Sequence, residues 1–329
     1  MYQTETYAVA LSFMIITMLC WGSWANTLKL CPGFRFQLFY WDYAAGLVVC
    51  SLVWGMTLGS YGSTGLPLFA DLAHSDSAHI GLALAGGVTF NIANLLLVAA
   101  INLSGLAVAF PVGIGLALVV GAVSSYCIAP RGNPWMLFGG IVLVVAAILC
   151  DAAAYRARES EQAAASRRGL ILSILAGLLM GLFYPFVSRA MRGEPALGPY
   201  ATSLVFTLGV LLSTIPANAW LMRRPLDGDQ PARMKLYFAA PARWHLWGLL
   251  GGAIWCTGTT LNFVASRTAI VGPATSYSIG QGATMVSAAW GVFVWHEFAS
   301  APAQAKRLVV AMFALFIAGL LLVALAPLY

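Results

Sequence analysis

Long apolar runs alternate with short charged or turn-rich breaks along this chain. The runs lie near residues 7–28, 43–60, 80–101, 104–127, 134–150, 169–188, 199–220, 246–265, 271–295 and 308–327. A membrane-spanning helix needs about 20 apolar residues, so the pattern predicts ten spanning helices. The shortest, 134–150, fits a thin or snorkelled helix. The third and fourth runs nearly touch at Asn102–Leu103, and the eighth and ninth at Arg267–Ile270, which predicts two tight helical hairpins. None of the ten runs contains Asp, Glu, Lys, Arg or His. Charge at lipid depth is costly, so its absence is the ordinary condition of a span.

Composition narrows the class further. Of 329 residues, 60% are hydrophobic and 9% charged, with a mean hydropathy of +0.84. A soluble domain carries about 25% charged residues, so a water-soluble or disordered protein is excluded. The loops leave no room for a sizeable soluble domain. The net charge of +6 resides in those loops, where it reads as a topology signal rather than a nucleic-acid surface. Of the 17 Lys and Arg residues, four (Arg131, Arg189, Arg192 and Arg267) fall on one side, and the rest, from Lys29 to Arg307, on the other. The positive-inside rule places the richer side in the cytoplasm. Both termini are then outside, and the loops 151–168 and 221–245 are cytoplasmic. The expected location is the cell membrane, a bacterial inner membrane, with the bilayer as partner. The opening stretch MYQTETY has no basic n-region, so the first run reads as a retained helix. The six cysteines form no C-x-x-C pair, which argues against a zinc site or disulfide framework. No cofactor, metal or nucleic-acid partner is expected.

An internal repeat gives the strongest functional signal. Residues 105–115 read GLAVAFPVGIG and residues 272–282 read GPATSYSIGQG. At one offset, Gly105 matches Gly272, Gly113 matches Gly280 and Gly115 matches Gly282. Gly81 and Leu82 match Gly248 and Leu249 at the same offset. Five spans per half is odd, so the halves must run in opposite directions through the membrane. The expected fold is an all-α integral membrane protein, with ten transmembrane helices as two inverted five-helix repeats. The first repeat is 1–155, the cytoplasmic linker 156–168 and the second repeat 169–329. Inverted repeats are characteristic of secondary transporters, whose solute sits near the midplane between them.

Several segments resemble a known family. The stretch 86–94, GGVTFNIAN, is similar to the third helix of rhamnose–proton symporters, and 108–121, VAFPVGIGLALVVG, to their glycine-rich fourth helix. The segments 20–26, CWGSWAN, and 35–43, RFQLFYWDY, resemble bacterial relatives of the ureide permeases and glucose/ribose porters. With its ten-helix, five-plus-five layout, the chain resembles the drug/metabolite transporter superfamily in its sugar and ureide branches. Plant ureide permeases carry a large central loop with a nucleotide-binding-like motif. Here 151–168 is short and lacks G-x-x-x-x-G-K, so the resemblance carries over no ATP binding. It implies transport of a small molecule without fixing which one.

With no charge in the runs, a midplane site must use neutral groups. Trp255, Thr259 and Asn262 share one helical face, as do Tyr277 and Gln281. Asn91 and Asn94 lie at i and i+3, Trp21 and Trp24 at the same spacing, and Tyr184 precedes Pro185. Amides donate and accept together, and aromatic faces suit a sugar or planar ring. These ten residues are the candidate solute site, for a neutral polar solute such as a sugar, ureide or nucleobase. Asn91 and Asn94 can equally hold helices together, and Trp21 and Trp24 can equally be packing. For a coupling proton the candidates are Asp42 and Glu297, with Asp42 also readable as a plain helix cap. A drug or metabolite exporter and an uncoupled facilitator stay open beside proton-coupled import. A membrane-embedded enzyme is remote, because His74, His79, His245 and His296 read as loop residues and no H-E-x-x-H occurs.

Overall fold

In the computed structural model, which describes residues 1–158, 166–226 and 230–329, the apolar runs become helices whose ends are set by proline, glycine and capping side chains. They are α1 (Tyr7–Ser23), α2 (Phe36–Met56), α3 (Ser77–Ser104), α4 (Leu106–Ile128), α5 (Pro134–Arg158), α6 (Arg167–Ala190), α7 (Pro199–Arg223) and α8 (Ala242–Ser266). Three consecutive pieces, Gly272–Gly280, Ala283–Ala289 and the π-helical turn Trp290–Val294, make α9, and Ala303–Leu325 makes α10. Short helices at Asn26–Lys29, Leu68–His74 and Met234–Phe238 connect them. The Thr6 hydroxyl accepts the Val9 amide to start α1, and Asp76 accepts the His79 amide to start α3. Two hairpins turn on a single residue in the left-handed region. Gly105 (φ 73°) separates α3 from α4, and Gly272 (φ 71°) opens α9 just after α8. A side chain at either position would be strained.

Among the described residues, eight helical segments are long and apolar enough to cross a membrane, so the chain is an all-α, multi-pass integral membrane protein. Its outer surface supports this assignment. Val53, Val142, Leu212 and Val310 are each more than half exposed, the reverse of a soluble surface. Two segments fall short of a span by length or hydropathy. Gly, Thr and Trp dilute the hydropathy of α8, and the turn at Gln281–Gly282 cuts α9. Both lean heavily on protein: α8 packs on α1, α2, α7 and α9, and every residue of Gly272–Gly280 is buried.

Several boundaries differ from the sequence expectation. The second helix starts at Phe36 rather than near 43, which places Asp42 in its second turn and removes the capping role. The fifth continues past 150 to Arg158, because Ala152–Ala154 favour helix and the arginines reach the interface. It is therefore long rather than thin. Asp42, Asp151 and His245 thus lie within helices. His74 ends the helix Leu68–His74, and His79 and His245 sit in the first turns of α3 and α8 rather than in loops. Part of the expected linker 156–168, residues 159–165, lies outside the described residues.

The helices meet closely wherever glycine removes a side chain. A Cβ on Gly46 would collide with the Leu249 carbonyl, and one on Gly209 with the Leu84 carbonyl. Gly140 and Gly319 face each other, so that a Cβ on either would stand 2.6 or 2.8 Å from the other's carbonyl oxygen. The main core is aromatic, built from Phe90, Phe183, Phe206 and Trp255 where α3, α6, α7 and α8 converge.

Candidate functional site

Two polar clusters flank that aromatic core. The first gathers on α1, α6, α8 and α9. The i, i+4 stripe of α8 aims Trp255 and Thr259 at α1, where Trp21 stacks on Trp255 with centroids 5.7 Å apart. Trp21 Nε1 donates to Thr259 Oγ1 at 3.0 Å. One turn further along, Asn262 Oδ1 accepts from the Tyr184 hydroxyl at 2.5 Å, and its Nδ2 donates to the Ser276 carbonyl at 2.9 Å. Ser276 Oγ returns a bond to the Asn262 carbonyl at 3.0 Å. Tyr277 lies 4.8 Å from Tyr184 and donates to the Ala117 carbonyl of α4 at 3.1 Å. The break in α9 abuts this cluster: a Cβ on Gly280 would meet the Trp21 ring at 2.7 Å and Asn262 Nδ2 at 3.2 Å. Next to it, half-buried Gln281 makes no side-chain hydrogen bond among the described residues.

The second cluster joins α2, α3 and α7. Asn91 Oδ1 accepts from the Tyr40 hydroxyl at 2.9 Å and from Thr214 at 3.2 Å, while its Nδ2 donates to Ser213 at 2.9 Å. Asn94 Nδ2 donates to the same Tyr40 oxygen at 3.1 Å. Tyr40 stacks on Tyr43, and Tyr43 meets Trp24 at 4.7 Å. The Tyr43 hydroxyl is buried with no partner among the described residues. Phe90, 4.4 Å from the Trp255 ring, bridges the two clusters.

The ten expected residues are therefore divided. Trp21, Tyr184, Trp255, Thr259, Asn262 and Tyr277 converge, Gln281 follows Gly280 at the break of α9, and Trp24, Asn91 and Asn94 belong to the second cluster. Tyr40, Tyr43, Ser213, Thr214 and Ser276 were missed. The spacing of Tyr40 and Tyr43 at i and i+3 was a visible signal, since it puts two aromatics on one helix face.

The expected coupling residues sit at one end of the bundle. Asp42, 6% exposed, accepts from the Tyr237 hydroxyl at 2.6 Å and pairs with His245 Nδ1 at 2.8 Å. Burial first, then the Asp42 carboxylate, raises the Tyr237 phenol above its ordinary pKa, so it stays a donor. Glu297 takes Lys29 at 2.8 Å, the Tyr155 hydroxyl at 2.8 Å and Arg158 at 3.5 Å. Burial opposes its ionisation, but Lys29, Tyr155 and Arg158 outweigh that and hold its carboxyl below the ordinary value. Trp290 and Trp295 tie α9 to Ser23 and Asn26 at the same end. No cluster of three or more His, Cys, Asp or Glu forms a metal site among the described residues.

A lipid-exposed helical bundle enclosing hydroxyls, amides and aromatic faces is the architecture of a membrane transporter for small solutes. The ureide permease family profile matches residues 39–168 and 162–326, and the chain belongs to that family. It is similar to Ureide permease 4 of Arabidopsis thaliana, 24% identical with 97% of both chains covered. It is also similar to Ureide permease 1 of the same plant, 22% identical over 96% of both. A solved structure described only as "Crystal structure of protein" superposes with a TM-score of 0.67 over 96% of both chains at 12% identity, a likeness of fold alone.

Proposed function

We propose that this chain imports a small neutral polar solute of the ureide, nucleobase or sugar kind into a bacterial cell, by alternating access coupled to a proton. The observation that carries the reading is the neutral polar core beside a broken helix. Gln281 at the helix break and the Tyr43 hydroxyl, beside Trp24 and Tyr40, retain hydrogen-bonding capacity. Transporter sites characteristically form at such interrupted helices. A ureide or nucleobase offers paired donors and acceptors for amides and a planar face for Trp21, Trp24 or Trp255. The plant relatives, named ureide permeases, favour the ureide.

In this reading all ten helices cross the membrane, both termini lie outside, and 1–155 and 169–329 are inverted repeats joined by 156–168. Two kinds of contact support the repeat. Gly46 meets the Leu249 carbonyl as Gly209 meets the Leu84 carbonyl. Neighbouring helix pairs also map onto one another when five is added to each first-half helix number. Thus α1·α8 answers α6·α3, α2·α8 answers α7·α3, and α1·α9 answers α6·α4. The hairpin glycines Gly105 and Gly272 keep the offset of the sequence repeat. The contacts of α3 and α8 instead align Leu84 with Leu249, two residues away from that offset. Gly81 accordingly has open space where Gly248 packs on Asp42.

The Lys29–Glu297 and Asp42–His245 contacts close the cytoplasmic end. Asp42 is the coupling group: its bond to His245 joins α2 to α8 across the two halves, so protonation there loosens the closure. Glu297, already ion-paired, serves the latch. The test is twofold. Allantoin, uracil and glucose are screened for thermal stabilisation of the purified chain, and the solute that binds is followed into proteoliposomes with and without an inward proton gradient. Binding of at least one class and gradient-driven uptake that Asp42→Asn abolishes are expected. Indifference to the gradient would establish a facilitator instead.

A further inference from the structure

At the end of the bundle opposite the latch lies a cavity of about 200 Å³ that the midplane site does not use. The α4–α5 loop, the ends of α6 and α8, and the start of α9 form its walls. Arg131, Arg192, Arg267, Ser188, Ser266 and Thr268 line it, and no acidic side chain does. The arginines are the topologically rare ones, three of the four on that side.

Their charges are offset only in part, by Asp71 acting on Arg267. Arg267 donates to the Met191 carbonyl at 2.6 Å. Among the described residues, the guanidiniums of Arg131 and Arg192 have neither a hydrogen bond nor an ion pair. Asp71, which Arg267 feels electrostatically, is committed to the Gly198 amide at 2.9 Å and lies outside the lining. Burial, then the neighbouring Arg131 and Arg267, lower the pKa of Arg192. Like charges gathered in a partly enclosed space repel, and that cost is relieved when an anion enters.

Two further features supply donors. Ser188 is 2% exposed, lines the cavity, and its hydroxyl has no partner among the described residues. The first residues of α9, Gly272 and Pro273, form part of the wall, so the positive end of that helix faces the cavity. Gly272 is required there: a Cβ would meet the Arg131 stem at 2.9 Å. The cavity holds about six waters by liquid volume, enough for one small hydrated oxyanion. Planar guanidiniums match the paired oxygens of carboxylate or phosphate, which a halide lacks.

We propose that this cavity is an anion-binding vestibule for a small oxyanion, a carboxylate or phosphate group, placed directly above the buried cluster. Ser188 is one helical turn from Tyr184, and Ser266 one turn from Asn262, so the bound anion sits at the mouth of the route inward. The phosphate group can come from a free anion or from a lipid headgroup.

The test uses the full-length chain and inorganic phosphate as probe, with binding followed by calorimetry at constant ionic strength set by chloride. Saturable binding is expected to weaken about tenfold or more in Arg131→Gln/Arg192→Gln, and by less in Arg192→Lys, which keeps the charge without the fork. Ser188→Ala is expected to weaken it severalfold. Size-exclusion chromatography and helical circular dichroism check that each variant folds. Repeating the titration in nanodiscs with and without phosphatidylglycerol separates the sources. Competition by that lipid assigns the site to headgroups, and its absence assigns it to soluble anions. No saturable binding together with no competing lipid overturns the proposal, as does equal phosphate affinity in the wild type and the double variant. Transport does not enter the measurement, so the result is independent of the solute taken at midplane.

Discussion

Asn262 lies in the first cluster and Gln281 at the helix break next to it, and replacing each by alanine tests structure and the proposed recognition separately. Asn262 is fully buried and holds Tyr184 at 2.5 Å and the Ser276 carbonyl at 2.9 Å. Side-chain hydrogen bonds between membrane helices contribute about 0.6 kcal/mol each on average, and the stranded Tyr184 hydroxyl costs about 1–3 kcal/mol more. Asn262→Ala is therefore expected to destabilise the chain by about 2–4 kcal/mol. At about 2–4 °C per kcal/mol, the melting temperature falls by about 4–16 °C. Gln281 has no partner to lose among the described residues, so Gln281→Ala changes stability by less than about 0.5 kcal/mol. If Gln281 reads the solute as proposed, the change removes one or two hydrogen bonds to it, worth about tenfold or more in affinity. The assay is thermal unfolding of both variants in detergent, paired with calorimetric titration of the solute identified by the screen. If Asn262→Ala melts with the wild type, the Tyr184–Asn262–Ser276 linkage carries no load. If Gln281→Ala binds normally, the helix break is not the recognition site.

The pseudosymmetric glycine contacts predict that Gly46→Ala and Gly209→Ala each destabilise by about 1–3 kcal/mol through overpacking. Measured by thermal unfolding, a large effect in one and none in the other would break the proposed equivalence. At the latch, a carboxyl held below its ordinary pKa stabilises the closed end above that pKa and loses the effect only as pH falls through the lowered value. The Glu297 contacts therefore persist at neutral pH and weaken only once pH falls below the ordinary glutamate range. Glu297→Gln is expected to speed thiol labelling of buried Cys31 severalfold at pH 7 in a chain whose other five cysteines are alanine. Unchanged labelling would mean that the latch does not control access.

Lipid exposure is what an apolar run reports, and it located the helices well wherever lipid was the neighbour. It failed where partners distant in sequence made a polar residue acceptable. Asp42 looked like the edge of a span because nothing nearby explains it. Its partners Tyr237 and His245 lie 195 and 203 residues away, and only folding brings them into contact. The same reasoning covers the clusters. The i, i+4 stripe of Trp255 and Thr259 was legible because one helix carries it. The spacing of Tyr40 and Tyr43 was visible, but the bonds Tyr40 accepts from Asn94 and donates to Asn91 were not, because a neighbouring helix supplies both partners. Among the expected site residues, Asn91 and Asn94 proved to hold α2, α3 and α7 together, whereas Gln281 kept its amide free. The low hydropathy of α8 and the break in α9 are themselves the sequence signature of enclosure. A helix face turned to protein rather than lipid can carry Thr, Asn, Gln and Gly without desolvation in hydrocarbon, and must carry them if a polar solute is to replace its water there.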